Sequence, residues 1–146
     1  MGLQCQAGSM PDNALRPKLI LADADAAIRW YTANLGATES VRYEHGGSVV
    51  FAELVVFGTS VTLKDEDEVD PSPTSTGAPG PVLDVVTDDP DGVAAVMLEN
   101  GAVAVFPVVD QPYGARGGRI RDPFGVQWLL QTPVTMTPDE VRAALD

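Results

Sequence analysis

Apolar and polar positions along this chain follow two periods, and the order in which the periods alternate occurs twice. Residues 17–21 (PKLIL) form a short run of β type. Ile28, Tyr31 and Leu35 then recur at helical spacing, with Ala27 widening the stripe. Asp23 stands where an N-cap belongs, and Gly36 supplies the left-handed residue of a C-cap. Residues 41–43 are extended, His45, Gly46 and Gly47 make a turn, and residues 48–57 and 60–64 are two strands about a tight turn at Gly58 and Thr59. The first unit reads βαβββ.

The second unit repeats that order. Residues 81–86 read as a strand, and Asp89 followed by Pro90 gives a cap with proline at the first helical position. Val93, Val96 and Met97 form the apolar stripe, and Gly101 closes the helix. Residues 102–106 are extended, residues 114–122 lead into a turn at Pro123, Phe124 and Gly125, and residues 126–131 form the last strand. Thr137 and Glu140 have the spacing of a capping box, which predicts a terminal helix over 138–145. The two units also match in register. Asp23 falls on Asp88, Ile28 on Val93, Gly36 on Gly101 and Ala37 on Ala102, each 65 positions later, and Phe57-Gly58 matches Phe124-Gly125 after 67 positions. Duplication of one supersecondary unit leaves few folds open and places a site where the units meet. The expected organisation is an N-terminal extension or cloning remnant over 1–13, a first module over 14–66, a linker over 67–80, a second module over 81–132 and a C-terminal tail over 133–146.

Composition narrows the classes of function. The chain has 146 residues, 45% of them apolar, and no apolar run approaches the roughly 18 residues that span a bilayer, so no membrane role is expected. The net charge of −12 argues against nucleic-acid binding, which needs a basic face. The same charge serves solubility, or draws a cationic ligand into an acidic cleft. Part of it lies in the run 65–70 (DEDEVD), before a stretch rich in Pro, Ser and Thr that reads as an unpacked linker. A single cysteine, Cys5, excludes an internal disulfide and a thiolate zinc cage; with an N-terminus unlike a secretory signal it fits a cytoplasmic location. The one histidine, His45, reads as an exposed turn residue.

Three strings carry a resemblance: PKLILADADAAIRWYTANLGA (17–37), FAELVVFGTSVTLKDE (51–66) and GGRIRDPFGVQWLL (117–130). In order and spacing they resemble the vicinal oxygen chelate superfamily, which includes glyoxalases, bleomycin-resistance proteins and dioxygenases, and within it the PhnB-like branch. The resemblance implies an α+β fold of two tandem βαβββ modules whose curved sheets surround a cleft, with the helices outside. It also implies homodimerisation, although modules pairing within one chain or across two remains open. Enzymes of the superfamily hold a divalent metal with His or Glu from both modules. The matching positions here fall near Arg16 and on Phe51 and Leu129, none of which is a metal ligand. No metal, no cofactor and no catalytic residue are therefore expected.

Alternation anchored on the family's inward positions gives a cleft lining. Val49, Phe51, Glu53 and Val55 face inward, with Val50, Ala52, Leu54 and Val56 under the helices. Gln127, Leu129 and Gln131 face inward, with Trp128 and Leu130 in the packed layer, and burial of Ile120 puts Arg119 and Arg121 on the concave face. The candidate ligand-binding residues are Phe51, Glu53, Tyr113, Arg119, Arg121, Gln127 and Leu129. Glu53 has two readings, an ion pair with an arginine across the sheet or a general base whose pKa burial raises. The face taken by Asp84 stays open. Trp30 reads as packing or interface surface, and residues 122–125 (DPFG) as turn chemistry. The glycine-rich stretch 111–118 reads as a lip over the cleft. The expected function is binding or sequestration of a small organic molecule, with cationic and antibiotic-like compounds as candidates. A metal-dependent lyase, isomerase or dioxygenase with rearranged ligands is the alternative, and a non-catalytic dimeric or regulatory protein a third.

Overall fold

The computed structural model describes residues 13–146; apart from Asn13, the expected N-terminal extension, with Cys5, lies outside the described residues. The first unit comprises β1 (Lys18–Leu21), α1 (Ala24–Leu35), β2 (Thr38–His45), β3 (Ser48–Val56) and β4 (Thr59–Asp65). The second comprises β5 (Val82–Val86), α3 (Pro90–Glu99), β6 (Val103–Asp110), β7 (Arg116–Arg121) and β8 (Gln127–Gln131). A single turn, α2 (Pro73–Thr76), lies between them, and α4 (Pro138–Leu145) ends the chain behind the expected capping box of Thr137 and Glu140. The sheets run β1-β4-β3-β2 and β5-β8-β7-β6, each with its first strand parallel to its neighbour and the other pairs antiparallel. The chain is thus an α+β protein of two tandem βαβββ units, with open four-stranded sheets rather than closed barrels.

Each sheet has one helix-packed face and one open face, as alternation requires. In β3, Ala52, Leu54 and Val56 enter the core while Phe51, Glu53 and Val55 stay on the open side. In β8, Trp128 and Leu130 are buried, and Ile120 of β7 packs with them. The expected alternation fails at one point. Val49 is 3% exposed and Val50 is 47% exposed, the reverse of the expected faces. Tyr43 pairs with Phe51 but Glu44 pairs with Val49, so β3 carries an extra residue there. A bulge of this kind flips every side chain beyond it.

The acidic stretch is more structured than its composition suggests. The Asp65 carboxylate accepts the Ala24 amide at 2.7 Å and the Val49 amide at 2.7 Å, tying the start of α1 to β3. Lys64 donates to Asp67 at 2.6 Å and Asp70 at 3.0 Å. Ser72 is fully buried and donates to Glu66 at 2.8 Å. These bonds fold residues 64–72 back on the first unit.

Between units, the central contact is a buried carboxylate. Asp122, 4% exposed, accepts the Tyr31 hydroxyl of α1 at 2.7 Å and the Trp128 indole N–H at 2.9 Å through Oδ2. Its Oδ1 accepts the amides of Phe124 at 2.8 Å and Val126 at 3.0 Å, which shapes the turn before β8. Tyr31 meets Trp128 and Phe124 edge-on, with centroids 5.6 Å and 6.0 Å away. Trp30 donates to the Asn100 carbonyl at 2.8 Å, so it belongs to the packing between units. The seam is built from the helix-packed layers of both units.

Two outcomes test this reading. Tyr31→Phe removes one bond to a buried charge and should lower unfolding free energy by about 1.5–3 kcal/mol in urea titrations. Asp122→Asn should cost more, because its amide nitrogen meets the Trp128 N–H donor. The Asp67 carboxyl, held down to about 2 by Lys64 and by the Asp70 and Val69 amides, should titrate near that value by NMR. A carboxyl with a depressed folded-state pKa contributes stability that is present above its ordinary value and lost as pH falls through the folded one. The Lys64–Asp67 contact should therefore persist at pH 4 and open towards pH 2.

Candidate functional site

The expected site residues divide between the two open faces. On the first unit, Phe51 stacks on Tyr43 across the β2–β3 pair, with centroids 6.1 Å apart and planes 28° apart. Glu53 lies two residues further along, opposite Thr62 of β4. It accepts from Arg16 at 3.3 Å and from the Ser60 hydroxyl. The Ser60 hydroxyl, and after it Arg16, hold the Glu53 carboxyl below the usual glutamate range. The ion-pair reading of Glu53 is thus the one realised, with Arg16 as its partner. The direction of that shift is opposite to the one a general base raised by burial requires.

On the second unit, β7 and β8 bring Arg119 opposite Leu129 and Arg121 opposite Gln127. Asp84 of β5 lies opposite Leu129 on its other side, so Asp84, Leu129, Arg119 and Phe106 form a row across the open face. This settles the face of Asp84, whose neighbour Val85 is buried. The Tyr113 hydroxyl donates to Gln131 Oε1 at 3.2 Å, and Gln131 Nε2 donates to Asp84 Oδ1 at 3.4 Å. Arg119 lies over the Phe106 ring, 5.5 Å from its centroid. Gln127, 8% exposed, donates its amide to the Gly80 carbonyl at 3.2 Å, so that side chain is committed to holding the linker.

The stretch 111–118 is not a free lip. Gln111 N–H bonds the Ala115 carbonyl at 2.7 Å, which closes a short hairpin between β6 and β7. Thr135 pins the hairpin by donating its amide and its hydroxyl to the Gly114 carbonyl, at 3.1 Å and 3.0 Å. Residues 116–118 belong to β7 itself.

Phe51 and Glu53 belong to the first sheet, Arg119, Arg121, Gln127 and Leu129 to the second, and Tyr113 to the turn between β6 and β7. A groove of about 400 Å³ lies between the units, lined by Pro17, Val56, Phe57, Val82, Asp84 and Trp128 among others, and it contains none of the seven. A second groove, of about 350 Å³, has Arg121 and Gln127 on its wall beside residues 77–80. Sequence reasoning missed Arg16 as the partner of Glu53 and Phe106 as the platform under Arg119. Both lie outside the periodic runs on which the inward faces were counted. Among the described residues no three His, Cys, Asp or Glu side chains converge to hold a metal ion. Arg16, Phe51 and Leu129 offer no donors to the divalent ion that the resemblance implies. The residues present do not fit that group.

Comparison with known proteins agrees with this architecture. Residues 15–130 match the sequence model of the Glyoxalase/Bleomycin resistance protein/Dioxygenase superfamily, and the chain belongs to that superfamily. Protein Rv0887c of Mycobacterium tuberculosis (strain ATCC 25618 / H37Rv) is 33% identical over 139 residues, covering 90% of this chain and 82% of the relative. Among solved structures, TioX from Micromonospora sp. ML1 superposes with a TM-score of 0.64 at 26% identity, over 86% of this chain and 100% of TioX. The fosfomycin resistance protein FosX from Listeria monocytogenes shares the fold, with a TM-score of 0.64 at 12% identity, over 90% of this chain and 99% of FosX.

The Arg16–Glu53 pair gives one measurable consequence. In a side-chain carboxyl NMR titration, Glu53 should ionise below an ordinary glutamate, and Arg16→Met should move its midpoint upward without restoring a value near neutrality.

Proposed function

We propose that this protein binds a small organic molecule against the open faces of its sheets, without a catalytic metal, in a cytoplasmic homodimer whose two copies complete each other's site. The observation that carries this reading is the make-up of those faces. Exposed Tyr43 and Val55 on one sheet, and Val82, Val86, Val103 and Phe106 on the other, surround a few polar groups: Glu53, Asp84, Arg119 and Gln131. Apolar walls with sparse oriented polar groups suit an organic ligand. An apolar sheet face of this extent on a water-exposed chain also favours a second copy as its cover. Because the seam within one chain uses the helix-packed layers, pairing between copies is the simplest way to bring Phe51 and Glu53 opposite Arg119 and Leu129.

The rival reading is a metal-dependent lyase, isomerase or dioxygenase. It draws on a second structure of FosX from Listeria monocytogenes, complexed with Mn(II) and a sulfate ion. Glu53 and Asp84 are the open-face carboxylates such a reading would use, and Glu53 is already neutralised by Arg16.

The test combines three measurements on the full chain. Sedimentation should give twice the chain mass. A thermal-shift screen of cationic antibiotics, dicarbonyl compounds and aromatic acids should show saturable stabilisation by at least one class with chelator present. Phe106→Ala and Leu129→Ala should weaken that stabilisation. A ligand effect that requires stoichiometric Mn(II), Zn(II) or Fe(II) would overturn the metal-free reading in favour of the enzyme.

A further inference from the structure

Charge placement on the second open face runs against the charge of the whole chain. The protein carries 21 acidic and 9 basic residues, a composition in which every cation has acids to spare. Arg16, Arg29, Arg42, Lys64, Arg116 and Arg142 each bond at least one carboxylate. Arg119 and Arg121, on the open face of β7, bond none among the described residues, and neither does the exposed Lys18 of β1. Arg119 is the sharper case. Its Nε is buried and has no hydrogen-bond partner among the described residues. A buried N–H on a permanently charged group is costly to leave unpaired, and native structures rarely leave one so.

The Arg119 guanidinium carbon lies over the Phe106 ring, 5.5 Å from its centroid. A cation–π contact supplies no hydrogen-bond acceptor to the N–H groups, and the N–H fork of a guanidinium matches the oxygens of a carboxylate or a phosphoryl group. Leu129, opposite Arg119 across the β7–β8 pair, supplies apolar surface beside it. The nearest acid in the row, Asp84, is reached from Gln131 instead.

We propose that the open face of the second sheet is an oxyanion site, in which Arg119, backed by Phe106 and assisted by Arg121, binds the carboxylate or phosphoryl group of a small organic anion. This inference rests on the ligand-binding reading above and deepens it. It also inverts the expectation drawn from net charge. A chain of −12 attracts cations at long range, yet the groups placed on this face select an anion at contact. The surrounding acids would then serve to reject polyanions.

The test uses four probes of similar size and different charge, benzoate, phenylphosphonate, benzylamine and benzamide, added to the ¹⁵N-labelled full chain. Benzoate or phenylphosphonate should shift the Arg119 Nε–Hε resonance saturably, and the stronger of the two identifies the oxyanion. The dissociation constant should rise by at least about tenfold in Arg119→Met, the loss expected for a charge-assisted bond. It should also rise with added salt. Arg119→Lys keeps the charge but removes the fork, and should weaken benzoate while leaving the fold intact by thermal midpoint. Arg142→Met, on α4, should leave binding unchanged. Benzylamine or benzamide shifting the same face as strongly as the anions would overturn the oxyanion site while keeping the ligand-binding reading. If no probe of any charge shifts that face, both readings fall. A dimer that dissociates in Arg119→Met and ignores every probe would assign this cation to a partner chain's carboxylate and overturn the proposal.

Discussion

The Asp122 carboxylate is the constraint on which the rest of this structure depends. It is buried and forms no ion pair among the described residues, and four donated hydrogen bonds offset the loss of water around it. Burial pushes its pKa above the ordinary aspartate value, and the Trp128 and Tyr31 donors, with the two amides, oppose that shift. Because one donor comes from α1 and the others from the second unit, the carboxylate is satisfied only when the two units are docked. The reciprocal effect falls on Tyr31, whose hydroxyl is held protonated by its own burial and by the adjacent charge. A buried polar network of this sort specifies a single docking geometry more than it adds net stability.

That docking geometry decides what remains available for binding. With α1 and the aromatic side chains Trp30, Tyr31, Phe124 and Trp128 consumed by the seam, each sheet keeps its other face open. On the first open face Arg16 and Ser60 satisfy Glu53. On the second, Arg119 lies over Phe106 with its buried Nε unpaired among the described residues. Duplication has thus produced two equivalent surfaces that differ in what they leave unfinished. Arg119, opposite Leu129, occupies the position that Glu53, opposite Thr62, holds in the first unit.

Local signals carried most of the fold. Caps at Asp23 and Asp89, the stop at Gly36 and the alternation in residues 51–56 and 127–131 act over a few residues, so the linear pattern contains them. The bulge at Val50 escaped because it depends on how β3 pairs with β2, and pairing register is a relation between strands. Asp65 looked like one acid in a solvated run, yet it bridges the start of α1 and β3. An acidic run shows its charge in sequence, not which member folds inward.

The sequence by itself determined the two βαβββ units, their helix-packed faces and the lack of metal donors at the positions that the family resemblance marks. Each of these follows from residue type and short-range period. Only the tertiary structure decided that Asp122 belongs to the seam between units, that Asp84 shares a face with Arg119, and that Arg16 is the cation that meets Glu53. Those outcomes join residues that are 91, 35 and 37 positions apart, in Tyr31–Asp122, Asp84–Arg119 and Arg16–Glu53. At such separations the partner is chosen by how packed layers close on one another, and no periodicity in the chain encodes that choice.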